Sequence, residues 1–154
     1  KKLFGTLSNK KIVILGFAFK ANTNDTRESA AIQICKNLLE EEAYLVIHDS
    51  KVRLEQIEND LNKNVLRSNF KEQNKSNIFK GGNWDFAEDL SEIFHNADAV
   101  VILTEWNIYS ELDWREIARK MRKPAWVFDT RSVITIKQMD NSSLNFWQIG
   151  NGSL

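Results

Sequence analysis

The sequence predicts an α/β fold: one domain with a Rossmann-like, doubly wound and mostly parallel sheet. Apolar runs typical of strands buried on both faces alternate with segments of helical spacing. The chain has 154 residues, the usual size of one domain. Its 42% hydrophobic and 27% charged residues suit a packed core rather than a disordered chain. No repeat or linker divides it.

The first strand and helix are predicted from a buried run and a possible helix cap. Residues 11–16 are mainly β-branched and apolar, which predicts a strand buried on both faces. Asp25 is placed to cap a following helix, and Glu28 is placed to complete a capping box with it. Apolar residues then recur at helical spacing over 31–39, so we expect the helix to end near Glu42.

The remainder of the chain repeats this alternation. The predicted elements are a strand at 44–48 followed by Asp49, a helix at 53–61, a strand at 84–86, a helix at 90–97, a strand at 98–104, a helix at 114–121, and strands at 125–129 and 144–149. Residues 62–83 are rich in Asn, Lys and Ser and predict a surface excursion. In such a sheet, ligands gather where the carboxyl ends of the strands meet.

Charge and hydropathy exclude nucleic-acid and membrane functions. The 21 basic residues are balanced by 21 acidic ones, so the chain has no overall basic field for nucleic acid or an anionic membrane. No apolar run approaches the roughly 18 residues of a membrane span. Residues 1–11 lack the apolar stretch of a secretory signal. We therefore expect a soluble, cytoplasmic protein.

The cysteine and histidine content predicts neither a metal site nor a thiol nucleophile. Cys35 lies among apolar residues at helical spacing, which favours a packed structural thiol. As the chain's single cysteine it forms no intrachain disulfide, in agreement with a reducing compartment. His48 and His95 show no paired spacing, so neither a zinc site nor a Cys–His pair is indicated.

Three basic residues follow predicted strands and are expected at the same edge of the sheet. Lys20, Arg27 and Arg131 could together hold a diphosphate, with Arg making a forked contact and Lys acting as a point charge. The alternative is that each Arg forms a structural ion pair with a nearby carboxylate. The candidate carboxylates are Asp25, Asp49 and Asp129.

Aromatic residues near this edge allow two interpretations, ligand contact or core packing. Phe19 stands in a polar loop beside Lys20, where it either covers a base or sugar or packs into the core. Trp106, after Glu105 at a strand end, is expected to pack in the core or an interface. The same applies to Trp84, Trp114, Trp126 and Trp147. Residues 16–20 lack the three-glycine pattern of a dinucleotide-binding turn.

Three segments resemble the C-terminal, UDP-binding domain of the UDP-glucose 6-dehydrogenases, in the UDP-glucose/GDP-mannose dehydrogenase family. They are KIVILGFAFK with NDTRES at 11–20 and 24–29, AVVILTEW at 99–106, and KPAWVFDTR at 123–131. They follow the order found in that domain. The resemblance spans about residues 8–150 and is weakest over 52–83.

The resemblance implies that residues 1–154 are the last part of a three-part enzyme. Such enzymes oxidise UDP-glucose twice, with two NAD molecules and a water, to UDP-glucuronate. In the family, an NAD-binding domain and a central helical segment precede this part. The family's covalent intermediate forms on a cysteine of the preceding part, which Cys35 does not match. We therefore expect no catalytic residue here, no activity of this chain alone, and a homo-oligomer at full length.

The resemblance also assigns site residues. It implies that Phe19 and Lys20 contact the substrate UDP-glucose, that Arg131 makes a second contact to it, and that Arg27 contacts NAD held mainly by the preceding domain. Ser132 stands where many relatives have a second basic residue or Asn, which leaves that supporting hydrogen bond or charge open.

Two alternatives to UDP-glucose oxidation stay open. The segment 104–106 favours UDP-glucose over GDP-mannose or UDP-N-acetylmannosamine, but one segment does not decide the sugar. A non-catalytic α/β binding module is the alternative from another class. A receiver-like module would need an acidic cluster at the end of the first strand, and residues 16–17 offer none.

Overall fold

A six-stranded parallel sheet forms the centre of the described part of the chain. The computed structural model describes residues 4–62, 65–66 and 80–150, so most of the predicted excursion over 62–83 lies outside the described residues. The strands are β1 (Lys11–Leu15), β2 (Tyr44–His48), β3 (Trp84–Ala87), β4 (Ala99–Ile102), β5 (Trp126–Asp129) and β6 (Asn145–Gln148). The helices are α1 (Ala30–Glu40), α2 (Leu54–Leu61), α3 (Trp114–Lys120) and α4 (Ile136–Met139), with a 3₁₀ helix at Asn107–Glu111.

The strand order confirms the doubly wound α/β prediction. The order is β3-β2-β1-β4-β5-β6, and every neighbouring pair is parallel. Ile12 of β1 lies between Leu45 of β2 and Ala99 of β4. All residues of β1 and β2 are buried, as continuous apolar runs require between two covered faces.

The strand order reverses between β1 and β4, which places a crevice at their carboxyl ends. Two segments border this switch point: residues 16–29, which we call the β1 loop, and residues 103–106, which we call the β4 loop. Open α/β sheets bind ligands in this position. A ligand site is therefore expected at these two loops and at the segments that follow β2 and β5.

The predicted cap of the first helix is wrong. Ser29 caps α1, and its hydroxyl accepts a hydrogen bond from the N–H of Ala31. Glu28 has a φ of 62°, a left-handed conformation that no helix contains. Asp25 instead accepts hydrogen bonds from Arg27. The β1 loop is consequently longer than the capping pattern suggested.

The helix predicted over 90–97 is also wrong. These residues form turns, because Glu92 and Asn96 adopt left-handed φ values of 66° and 57°. Ile93 and Phe94 are nevertheless buried, so the apolar spacing reflects core packing without a helix. The 3₁₀ helix and α4 were not predicted, and both are short. The helices predicted at 53–61 and 114–121 are confirmed as α2 and α3.

The core confirms the structural interpretation of the cysteine and of three tryptophans. Cys35 is fully buried, and burial raises the pKa of its thiol far above the ordinary value. Trp84, Trp106 and Trp114 are buried in the same core. Within the described residues, no cluster of three metal-ligating side chains occurs, and none of the helices is long and apolar enough to cross a membrane.

Candidate functional site

The predicted site residues lie on two segments at the carboxyl edge. Phe19, Lys20 and Arg27 belong to the β1 loop, and Arg131 follows β5. Nη2 of Arg131 donates a hydrogen bond to the carbonyl oxygen of Phe19 at 2.9 Å, and this bond joins the two segments. The structure thus brings Arg131 to the Phe19–Lys20 part of the loop, while Arg27 lies near the start of α1.

The β1 loop leaves the sheet through a glycine that no other residue replaces without strain. Gly16 has a φ of +100°, and a Cβ there would lie 2.4 Å from the Cβ of Thr104 and 2.6 Å from its backbone nitrogen. Only glycine combines this backbone conformation with so close an approach. Gly16 therefore lets the β1 loop pack directly on the β4 loop.

Asp49 holds the first residues of the β1 loop through its buried carboxylate. Its Oδ2 accepts hydrogen bonds from the N–H groups of Phe17 at 2.7 Å and Ala18 at 2.9 Å, and from the indole Nε1 of Trp106 at 3.1 Å. The side chain has no exposed surface. Its Oδ1 accepts the N–H groups of Lys51 and Val52, each at 2.8 Å.

The β4 loop fixes the next part of the β1 loop. The hydroxyl of Thr104 donates to the carbonyl oxygen of Ala18 at 2.8 Å, and Oε1 of Glu105 accepts the N–H of Ala21 at 2.7 Å. The N–H of Phe19 donates to the carbonyl oxygen of Asp25 at 2.7 Å, which closes the loop on itself. Residues 17–21 are thus bonded on both sides before any ligand arrives.

Arg131 bonds to backbone carbonyl groups of both loops. Its Nε donates to the oxygen of Leu103 at 3.0 Å, and Nη2 donates to Phe19 as described above. Oε2 of Glu105 lies 3.5 Å from the same Nε. Asp129, one of the carboxylates considered as its partner, accepts the backbone N–H of Arg131 at 3.0 Å. Arg131 therefore holds the loop and still reaches the surface.

Phe19 and Lys20 are exposed on this fixed loop. The Phe19 residue is 40% exposed, which contradicts the alternative of a ring packed in the core. Lys20 is exposed as well, and among the described residues it makes no hydrogen bond or ion pair. Phe19 and Lys20 are therefore neighbouring exposed residues at the switch point, and both side chains are accessible to a ligand.

Arg27 forms the structural ion pair considered as the alternative. Its Nε and Nη2 donate to the carboxylate of Asp25 at 3.0 and 2.9 Å. Hydrogen bonding from Arg27 lowers the pKa of Asp25 to about 2. The Arg27 side chain is 88% exposed, so its outer face remains accessible from solvent.

A buried His–Tyr pair includes His48, the residue immediately before Asp49, and the sequence patterns did not predict this pair. Nδ1 of His48 lies 2.8 Å from the hydroxyl of Tyr109. Burial lowers the pKa of His48 to about 4, with a smaller opposite effect from Asp49. Burial also raises the pKa of Tyr109 well above its ordinary value. Both groups are therefore neutral near pH 7.

Three residues that hold the β1 loop had no such role in the sequence analysis. Asp49 appeared as a possible Arg partner, and Thr104 and Glu105 appeared at a strand end in the segment that favours UDP-glucose. One signal could have found them: each is polar and lies within three residues of the carboxyl end of a parallel strand, where side chains converge at the same edge.

Comparison with known proteins places the chain beside nucleotide-sugar dehydrogenases. Residues 13–136 match the UDP binding domain of the UDP-glucose/GDP-mannose dehydrogenase family. The chain is 40% identical over 151 residues to UDP-glucose 6-dehydrogenase of Drosophila melanogaster, covering 97% of this chain and 30% of the relative. The Bos taurus enzyme of the same name is 46% identical over 132 residues, covering 86% of this chain and 25% of the relative. The chain thus spans about a quarter to a third of these relatives.

Solved structures share the fold. A UDP-glucose dehydrogenase from the hyperthermophilic archaeon Pyrobaculum islandicum is 25% identical, with a TM-score of 0.57, covering 83% of this chain and 23% of that one. An NDP-N-acetyl-D-galactosaminuronic acid dehydrogenase from Methanosarcina mazei is 21% identical, with a TM-score of 0.69, covering 97% of this chain and 26% of that one. The second likeness bears on the fold alone.

Proposed function

Because the chain belongs to the UDP-glucose/GDP-mannose dehydrogenase family, we propose that it is the UDP-sugar-binding domain of a UDP-glucose 6-dehydrogenase. The full-length protein would oxidise UDP-glucose to UDP-glucuronate with two NAD molecules. The names of the similar Drosophila melanogaster and Bos taurus proteins support this substrate. The partners of this chain would be the NAD-binding and central domains of the same enzyme, in a cytoplasmic homo-oligomer.

The observation that carries the proposal is the exposed pair Phe19–Lys20 on a loop that is already fixed. The ammonium of Lys20 would bind a phosphate oxygen as a point charge. The ring of Phe19 would pack against the uracil or the sugar, since aromatic rings line most small-molecule sites. Because Phe17, Ala18, Phe19 and Ala21 are already hydrogen-bonded, little backbone conformational entropy is lost when the ligand binds.

Arg131 would have two roles in this site. Two of its N–H groups hold the carbonyl oxygens of Leu103 and Phe19, which positions the loop. Its Nη1 makes no hydrogen bond to a described residue and would contact the nucleotide sugar. A charge-assisted hydrogen bond of this kind is roughly twice as strong as one between neutral groups.

The turn after β1 does not fit an NAD pyrophosphate. The turn after β1 has a single glycine, Gly16, and the N–H groups of Phe17 and Ala18 are bonded to Asp49. We therefore assign NAD mainly to the preceding domain of the full-length protein. The exposed outer face of Arg27 would contact that bound NAD across the cleft between the domains.

The chemistry of covalent catalysis would belong to another part of the enzyme. A cysteine nucleophile acts as a thiolate. The Cys35 thiol is fully buried, and burial raises its pKa, so a thiolate does not form there at neutral pH. In this proposal the present chain binds and orients the nucleotide sugar and supplies no catalytic residue.

Four variants of the full-length protein test this division of labour. Lys20→Ala and Arg131→Ala should each weaken UDP-glucose binding by about 1.5 to 3 kcal/mol, the value of a charge-assisted hydrogen bond. Arg27→Ala should raise the KM for NAD and leave UDP-glucose binding without NAD nearly unchanged. Lys120→Ala is the matched control, because Lys120 lies at the opposite edge of the sheet, where its carbonyl oxygen accepts the N–H of Asn96. Calorimetry and steady-state kinetics provide the two measurements.

Different patterns would contradict the assignment. Equal loss of UDP-glucose affinity in Lys20→Ala and Lys120→Ala would mean that Lys20 does not contact the ligand. If Arg27→Ala only lowers the melting temperature, Arg27 merely holds Asp25 at the start of α1 and does not contact NAD.

A further inference from the structure

The turn after β1 holds an internal carboxylate where a dinucleotide-binding turn holds a ligand phosphate. In dinucleotide-binding folds, the backbone N–H groups at the start of the first helix point at the pyrophosphate. In this chain the N–H groups of Phe17 and Ala18 point at Oδ2 of Asp49, at 2.7 and 2.9 Å. Asp49 has no exposed surface, so neither water nor a ligand competes for these donors.

Three segments converge on this one carboxylate oxygen. Asp49 follows β2, Phe17 and Ala18 begin the β1 loop, and Trp106 ends the β4 loop with its Nε1 3.1 Å away. Hydrogen bonds to a charged acceptor are among the stronger ones in proteins. The other oxygen is also occupied, by two N–H groups of the segment after β2. The start of the segment 17–21 is therefore held by a buried side chain that lies outside the proposed ligand contacts.

We propose that Asp49 is a positioning residue for nucleotide-sugar binding, because it fixes Phe17 and Ala18, which lead directly into the proposed ligand contacts Phe19 and Lys20. Its negative charge also excludes a phosphate from the turn itself, since like charges this close repel. The diphosphate of a nucleoside diphosphate sugar must then be bound by side chains beyond the turn. This inference rests on the function proposed above.

The chain provides a matched control for a purely structural effect. Asp98 is a second buried carboxylate, 5% exposed, and its Oδ2 accepts the N–H of Lys11 at 2.9 Å. It also pairs with Arg122. Asp98 precedes β4, at the opposite edge of the sheet from the β1 loop. Loss of its charge should destabilise the fold without reaching Phe19 or Lys20.

The test compares Asp49→Asn with Asp98→Asn in the full-length protein, well below the melting temperature of each. An Asn at position 49 has one acceptor oxygen, and its NH2 group is a donor that must face backbone N–H donors on one side. Some of the hydrogen bonds that Asp49 accepts are therefore lost. We expect hydrogen exchange in peptides covering 17–21 to become at least about tenfold faster, and UDP affinity by calorimetry to fall at least about tenfold. Asp98→Asn should lower the melting temperature and change neither quantity.

Several results would overturn the positioning role of Asp49. If Asp49→Asn lowers only the melting temperature, as Asp98→Asn does, the positioning role is overturned. If Asp49→Asn does not fold, Trp106→Phe removes one donor from the same oxygen, and unchanged exchange over 17–21 would then refute the proposal. If the unaltered protein does not bind UDP, the proposed function fails, whereas the exchange comparison still decides whether Asp49 fixes the loop.

Discussion

Replacing His48 with glutamine should remove part of the pH dependence of folding stability. His48 is 3% exposed, and burial lowers its pKa from 6.5 to about 4. The unfolded chain therefore takes up a proton at higher pH than the folded chain does. The stability from neutral His48 is fully present above the unfolded value of 6.5, and it is lost as the pH falls toward about 4.

The size of this loss follows from the pKa difference. A shift from 6.5 to about 4 corresponds to about 3 kcal/mol, which is a large share of the stability of a domain. Glutamine can still form a hydrogen bond with the hydroxyl of Tyr109, but it binds no proton. Urea unfolding of both proteins at about pH 7.5, 5.5 and 4 measures the difference. If both lose the same free energy across this range, His48 is not a buried neutral group and the reasoning fails.

Three further predictions concern the close approach of the loops, a buried lysine and the chemistry. Gly16→Ala should lower the free energy of unfolding by about 3 kcal/mol or more, because it adds left-handed backbone strain and steric overlap with Thr104. Gly5→Ala is the control: its φ is +75° but no atom lies within 4 Å, so it should add only the strain. Thermal melting of both variants measures the difference. Burial lowers the pKa of Lys11 to about 7, so stability should rise with pH from about 7 toward 10.5, and unfolding of Lys11→Met should lack that rise. The chain alone should produce no NADH from UDP-glucose; steady production that survives Cys35→Ala would refute this.

The sheet could be predicted from sequence because its strands are buried on both faces. A run such as β1, with all five residues buried, has one reasonable environment, the centre of a parallel sheet. Because strands and helices alternate along the chain, only a few sheet topologies are then possible. The same reasoning placed Lys20, Arg27 and Arg131 at one edge of the sheet, where the structure has them, with Arg131 bonded to Phe19.

The failures have local physical causes. The helix over 90–97 was predicted from apolar spacing alone, and two left-handed residues, Glu92 and Asn96, divide it into turns. The cap at Asp25 was predicted from a local pattern, but Arg27 takes the carboxylate instead.

Local sequence patterns could not predict the polar contacts between residues that are distant in sequence. Asp49 bonds to Phe17 and Trp106, which are 32 and 57 positions away in sequence. His48 and Tyr109 are separated by 61 positions. Neither hydrophobic periodicity nor a helix-capping pattern predicts such pairings, because they depend on how the loops pack against each other at the switch point. The residues that hold the β1 loop were therefore found from the structure, whereas the residues that we propose as ligand contacts were predicted from the sequence.

Calorimetric titration of this chain with UDP, UDP-glucose and GDP-mannose tests the central claim most directly. We expect UDP to bind with a Kd on the order of 0.1 to 1 mM, which is weak because the contacts of the other domains are missing. UDP-glucose should bind comparably, GDP-mannose more weakly, and Lys20→Ala should abolish measurable binding of UDP. Tight binding that prefers GDP-mannose, or UDP affinity unaffected by Lys20→Ala, would contradict the assignment of this edge of the sheet to a UDP-sugar.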